Sequence, residues 1–215
     1  MINTLDLVAV AVGAAVIAFV LRGNLWRAWL CLKPTSIQIE ADAPADQVKL
    51  PKALERPDVE LRALGFTSLG THLEQPRFGP EMISYDYAHP TERCFATLYR
   101  GTDGTARFYF LTRTANDGFV ITGNHRRPAR ELKGRYLSGA LESLPAARVF
   151  TAHLRRVPEI GAPEGEYTQA GRIAAGRAWF AGPGNVEVRQ QNALGLLWTV
   201  GTVGMVAAAI FGRRG

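Results

Sequence analysis

The stretch of chain from Asn192 to Gly212 constrains the fold most. It holds no charged residue, and Arg213–Arg214 close it. About twenty apolar residues in helical form cross the hydrocarbon of a bilayer, whereas a core helix of a soluble domain is shorter and amphipathic. The segment 192–212 therefore predicts a transmembrane helix. A helix suits lipid because it satisfies its own backbone hydrogen bonds.

A second run points the same way. Leu7–Leu21 is free of charge and consists almost wholly of Val, Ala, Ile, Leu, Phe and Gly. Extended back to Met1 it reaches about 30 Å, enough to span the hydrocarbon. A cleaved signal peptide would carry Lys or Arg ahead of its apolar run and a small-x-small cleavage site behind it. Met1–Asp6 holds no basic residue, and Arg22, Trp26, Arg27 and Trp29 follow at the spacing of an interfacial belt. The expectation is an uncleaved helix over 1–21 and an interfacial segment over 22–35.

Both helices carry small-residue faces. Ala11, Ala14, Ala15 and Ala18 form one stripe; Gly195, Thr199 and Thr202 form a second, and Gly204 and Ala208 a third. Small faces let backbones approach closely in lipid. The helices are thus expected to pair with each other or to drive self-association with another subunit. Two crossings put residues 22–191 on one side. Arg22, Arg27, Lys33, Arg177 and Arg189 flank that loop, against Arg213 and Arg214 outside it, which favours a cytoplasmic domain. Cys31 and Cys94, the only cysteines, fit a reducing side. An anchor at each end of a small domain is a layout met in bacterial membrane proteins, so the inner membrane is the expected place.

Residues 36–181 read as one α+β domain, with 182–191 as a juxtamembrane hinge around Gly182-Pro183-Gly184. Ser36–Glu40 alternates in strand fashion, and Asp42–Pro57 reads as an irregular lead-in. Pro57–Asp58 opens a short helix that Gly65 closes. Strands are expected at Phe66–Leu73, Met82–Tyr87, Cys94–Tyr99, Thr105–Thr112 and Phe119–Thr122. Thr102-Asp103-Gly104 and Asn116-Asp117-Gly118 supply turn chemistry between them. Short turns give an antiparallel β-meander, one face of which gathers Phe95, Thr97 and Tyr99 with Phe108 and Phe110. One or two helices should cover it. The first is capped by Ser143 and turns Ala146, Val149, Phe150, His153 and Val157 inward; the second runs from Tyr167 to Phe180 with Ala170, Ile173, Ala174 and Ala178 on one face.

Motifs for chemistry are sparse. Cys94 opens a strand with apolar inward positions, which suits a core cysteine better than a nucleophile. The four histidines, His72, His89, His125 and His153, have no metal-ligand spacing, and no phosphate loop or G-x-S-x-G elbow occurs. No metal or cofactor is expected. The net charge is +6, but it is divided: −3 over residues 34–124 and +5 over 125–189. That is not the dense basic field of a nucleic-acid binder. The one pointed feature is a basic segment, His125, Arg126, Arg127, Arg130, Lys133 and Arg135, whose guanidinium groups are suited to anionic headgroups or a phosphorylated ligand.

These observations predict a two-pass membrane protein whose central domain, without catalysis, binds a partner protein or the membrane surface. The alternative is a small-molecule or lipid pocket lined by Tyr99, Phe108, Phe110 and Phe150. A hydrolase-like enzyme using Cys94 or a histidine ranks third.

Overall fold

The computed structural model describes residues 4–211. The predicted start of the first helix at Met1 and the basic pair Arg213–Arg214 lie outside the described residues. Within them the fold is α+β, with five α-helices and one eight-stranded, mostly antiparallel sheet. The chain divides into two units: Met1–Ile37, Gln75–Pro80 and Gly184–Gly215 form one, and Gln38–Glu74 with Glu81–Pro183 form the other.

The first unit is built on two long helices, α1 (Thr4–Leu32) and α5 (Gly184–Phe211). Their spans Val10–Leu32 and Gly184–Ala209 are long and apolar enough to cross a membrane. α1 continues through Arg22 to Leu32 rather than ending at residue 21. Arg22 ends a hydrophobic run but not a hydrogen-bond ladder, and the first proline is Pro34. The helices pack on each other. Arg27 Nη2 donates to the Gln191 carbonyl at 3.2 Å, and Gly195 lies against Arg27 and the Ala28 nitrogen. From that contact the covered positions run back along α1 through Asn24, Leu21, Val20 and Ile17, and forward along α5 through Thr199 and Thr202. The pair is therefore antiparallel.

Only one predicted stripe makes this contact. Gly195, Thr199 and Thr202 face α1, whereas Ala11, Ala14, Ala15 and Ala18, like Gly204 and Ala208, are exposed. A Cβ on Gly195 would stand 2.3 Å from Arg27 Cβ, but one on Gly201 would meet nothing within 4 Å. Gly195→Leu should lower the thermal midpoint of the full chain in detergent, by an overpacking cost of about 1–3 kcal/mol. Gly201→Leu should leave it unchanged, and equal shifts in both would refute the close approach.

In the second unit the sheet order is β1 (Gln38–Pro44), β2 (Thr67–Gln75), β3 (Met82–His89), β4 (Cys94–Arg100), β5 (Ala106–Thr114), β6 (Gly118–Gly123), β8 (Tyr136–Ala140) and β7 (Arg130–Leu132). β2 to β6 are the expected meander. β7 and β8 were not expected; β8 pairs parallel to β6, and β7 closes the edge as a three-residue hairpin partner. Asn116 and Asp117 take φ of 63° and 55° in the β5–β6 turn, the conformation foreseen for that tripeptide.

Register separates the aromatic residues that the sequence pattern groups on one face. Asp86, Thr97 and Tyr109 stand opposite one another across β3, β4 and β5, so with Phe95 and Tyr99 they share a face. Leu98 faces Phe108 and Ala96 faces Phe110, so Phe108 and Phe110 project from the other side. Helices cover both faces. On the Phe110 side lie α2 (Lys52–Ala63) and α3 (Ala146–Ile160), where Leu54, Leu61, Phe66, Cys94, Leu98, Phe110, Val149 and Phe150 form one core. Phe66, Phe110 and Phe150 meet in tilted and edge-on pairs with centroids 5.0–5.4 Å apart, each buried ring contributing about 1.5–3 kcal/mol. Of the four residues expected to line a ligand pocket, Phe108, Phe110 and Phe150 belong to this core and Tyr99 lies on the opposite face.

Tertiary contacts displace two helix starts. α2 begins at Lys52 and runs through Pro57, because Leu54 and Leu61, two turns apart, are both fully buried in that core. α3 starts after Pro145, not at a Ser143 cap; Ser143 sits at φ 60°, and the Ala146 amide donates to Glu60 Oε2 of α2 at 3.2 Å. All five predicted inward positions of α3 are buried.

Candidate functional site

The opposite face of the sheet is covered by α4 (Gln169–Ala181), whose N-cap Thr168 accepts from the Gly171 amide. The inward side of α4 is Arg172, Ile173, Ala175, Gly176 and Trp179, while Ala170 and Ala174 are exposed. Of the face expected from the sequence, Ile173 is buried and Ala178 half-buried, and the buried Arg172 lies outside it. A guanidinium in the interior needs charge and hydrogen-bond partners, and β2–β5 supply them.

Arg172 Nε donates to Thr97 Oγ1 at 2.9 Å and lies 3.2 Å from Asp86 Oδ1, while its Nη2 donates to Tyr109 Oη at 2.6 Å. Thr97 Oγ1 donates to Asp86 Oδ1 at 2.8 Å. The other Asp86 oxygen accepts from His72 Nδ1 at 2.5 Å, and His72 Nε2 reaches Glu74 Oε1 at 3.2 Å. His72, Asp86, Thr97 and Arg172 are all buried. Burial alone would lower the His72 imidazole, but the Asp86 charge and the hydrogen bonds to Asp86 and Glu74 raise it on balance. Arg172, likewise opposed by burial, is raised by Tyr109, Asp86 and Glu74. The result is a closed network that joins Arg172 and His72 to the carboxylates of Asp86 and Glu74.

This geometry fixes its chemistry. A general base needs one ring nitrogen facing a nucleophile, yet both His72 nitrogens are held by carboxylates. His153 is similarly engaged, with Nε2 2.9 Å from Thr112 Oγ1 and Nδ1 3.1 Å from Thr122 Oγ1; burial, then Arg156, lowers it to about 3. Cys94 is fully buried, and that burial pushes its thiol up to about 12, far from the thiolate a nucleophile requires. Asp86, His72 and Glu74 are metal-ligand types, but the protein's own cation, Arg172, lies against Asp86. Among the described residues no His, Cys, Asp and Glu group is arranged to hold a metal.

The basic segment is not gathered into one patch. His125 and Arg126 follow β6 at its Gly123 end, and His125 Nε2 meets Tyr99 Oη at 3.0 Å. Burial, with Arg127 and Arg107 nearby, lowers His125 to about 4. The Arg127 guanidinium lies over the rings of Tyr109 and Trp179, 5.6 Å from each centroid. Arg130 stands opposite Ser138 in the β7–β8 pair. Lys133 and Arg135 sit in the turn before Tyr136, which pairs with Phe119 at the far end of β6, about 13 Å along the strand from Gly123. Arg126, Lys133 and Arg135 are exposed; His125, Arg127 and Arg130 are half-buried.

A groove of about 290 Å³ opens beside the first turns of α4, lined by Phe95, Arg113, Glu164, Glu166, Gly171 and Ala174 among others. Tyr167 stacks on Phe95 with centroids 4.8 Å apart, under the Arg93 guanidinium at 5.5 Å. The groove combines an apolar floor with charges of both signs. In comparison with known proteins, no family model, no curated protein and no solved structure matches the chain.

Proposed function

We propose that this chain is a two-pass integral membrane protein whose sheet domain is a binding module for a partner protein, not a catalyst. One observation carries the reading: the outward sides of both long helices expose Val10, Val12, Val16 and Phe19, and Leu194, Leu197, Trp198, Val200, Val203 and Met205. Apolar faces of that length are unfavourable in water and favourable against acyl chains. The engagement of the His72 and His153 ring nitrogens and the burial of Cys94 support binding over catalysis. The groove beside α4 is the assigned contact surface, since it joins aromatic and charged side chains as protein interfaces do. Basic residues Arg22, Arg27, Lys33, Arg177 and Arg189, against Arg213 and Arg214, favour the cytoplasmic side for the domain.

Photo-crosslinking in native membranes tests this. After an alkaline carbonate wash the protein should stay in the membrane pellet and leave it only with detergent. A photo-reactive residue at Ala174 in the groove should then give a discrete protein adduct that one at Val59, exposed on α2, does not. Release by carbonate would end the spanning reading, and equal labelling at Ala174 and Val59 would end the groove assignment.

A further inference from the structure

We propose that the loop Gln75–Pro80 between β2 and β3 is a third membrane-contacting element, with Phe78 among the lipid headgroups and Arg77 paired to their phosphates. The inference rests on the two-span reading above. It stands on contacts inside the helical unit, to which this loop belongs.

The loop is built to lie against α1. Its sequence, Gln75-Pro76-Arg77-Phe78-Gly79-Pro80, turns tightly, with the Gly79 amide donating to the Pro76 carbonyl at 3.0 Å. A Cβ on Gly79 would fall 2.7 Å from Pro76 and 3.2 Å from the Trp26 ring, so only glycine allows this approach. The turn forces Phe78 to φ 66°, a left-handed conformation that an aromatic residue rarely adopts. Phe78 meets Trp29 edge-on at 5.9 Å, and the Arg77 guanidinium lies 5.2 Å from both rings. Even so, Phe78 remains 60% exposed. A strained backbone that holds a phenyl ring outward is a poor design for water.

The level of the loop on the helices identifies the missing neighbour. Gln191 and Gly195 contact Arg27 and Ala28, so Asn192, where the uncharged run of α5 begins, is level with that part of α1. Trp29 lies just beyond, toward the charged end of α5. That is the interfacial zone, where tryptophan rings and arginine side chains are favoured. Phe78 and Arg77 continue the Trp26–Arg27–Trp29 belt at the same depth. An aromatic ring beside a guanidinium suits the boundary between acyl chains and anionic phosphates.

The test uses full-length protein in vesicles of phosphatidylcholine and phosphatidylglycerol, with an environment-sensitive fluorophore attached to an introduced cysteine. The background is Cys31→Ser; Cys94 is fully buried and stays unlabelled. Label at Phe78→Cys should emit to the blue and lose emission to lipids bearing a headgroup nitroxide, whereas label at the exposed strand residue Leu132→Cys should not. Arg77→Cys gives a neighbouring reporter with the same expected quenching. A label at Trp198→Cys, inside the α5 span, should be quenched by nitroxide near the bilayer centre. Quenching at Trp198 without quenching at Phe78 or Arg77 overturns the proposal alone, as does a blue-shifted Phe78 label untouched by lipid nitroxide, which would mean a protein neighbour. No quenching at Trp198 overturns the two-span reading, and the loop proposal falls with it.

Discussion

Asp86→Asn is expected to destabilise the sheet domain by about 3–5 kcal/mol, the usual cost of removing one partner from a buried ion pair. Asp86 receives His72 on one oxygen and Thr97 and Arg172 on the other, and it is fully buried. Asparagine keeps the shape and removes the charge, so the loss reports electrostatics and not a cavity. Arg172 would then face Tyr109 and Thr97 with no carboxylate in contact. Urea unfolding of the full chain in detergent measures the change. A companion variant, Asp86→Asn with Arg172→Met, removes the stranded cation and should recover part of the loss, since apolar replacement of a buried pair is often neutral. A loss under about 1 kcal/mol in the single variant, the scale of a solvated pair, would mean the network is open to water.

Acid should weaken the same domain through His153. Its ring is fully buried between Thr112 and Thr122 and lowered to about 3. An unfolded chain takes up that proton near the ordinary histidine value of about 6.5. Stability from this group is therefore complete above that value and is lost as pH falls toward 3, by roughly 2–3 kcal/mol at about pH 4.5. His125, lowered to about 4, acts in the same sense. His72 acts oppositely: its raised value contributes stability below the ordinary pKa, which fades as pH rises through the raised one. Unfolding free energy measured from neutral pH downward should fall, and His153→Gln should flatten that slope whatever its own stability. An unchanged slope would remove His153 as the cause.

The segment charges illustrate how local pattern and folded position diverge. His125, Arg126, Arg127, Arg130, Lys133 and Arg135 are neighbours in sequence and read as one anion-binding site. Folding places His125 and Arg126 at one end of β6, Lys133 and Arg135 at the other, and Arg127 over Tyr109 and Trp179. The network of His72, Asp86, Thr97 and Arg172 is the reverse case, since its members are apart in sequence and meet only through strand register and the packing of α4 on the sheet. A signal for it did exist in Asp86 and Thr97, polar residues in strands otherwise rich in aromatic and aliphatic side chains.

What the sequence determined by itself came from local pattern: two long apolar helices, the strands of the meander, its turn residues and the five inward positions of α3. Each follows from spacing within one element, 3.6 for helices and 2 for strands. The tertiary structure alone decided which face each strand residue shares with its neighbours, and so parted Phe108 and Phe110 from Tyr99. It also decided that Gly195 and not the alanine stripe of α1 meets the other helix, that Glu60 supplies a hydrogen-bond acceptor at the start of α3, and that Arg172 points inward. Those choices depend on register, on parallel addition of β8 and on buried charge seeking charge, none of which is a property of one segment.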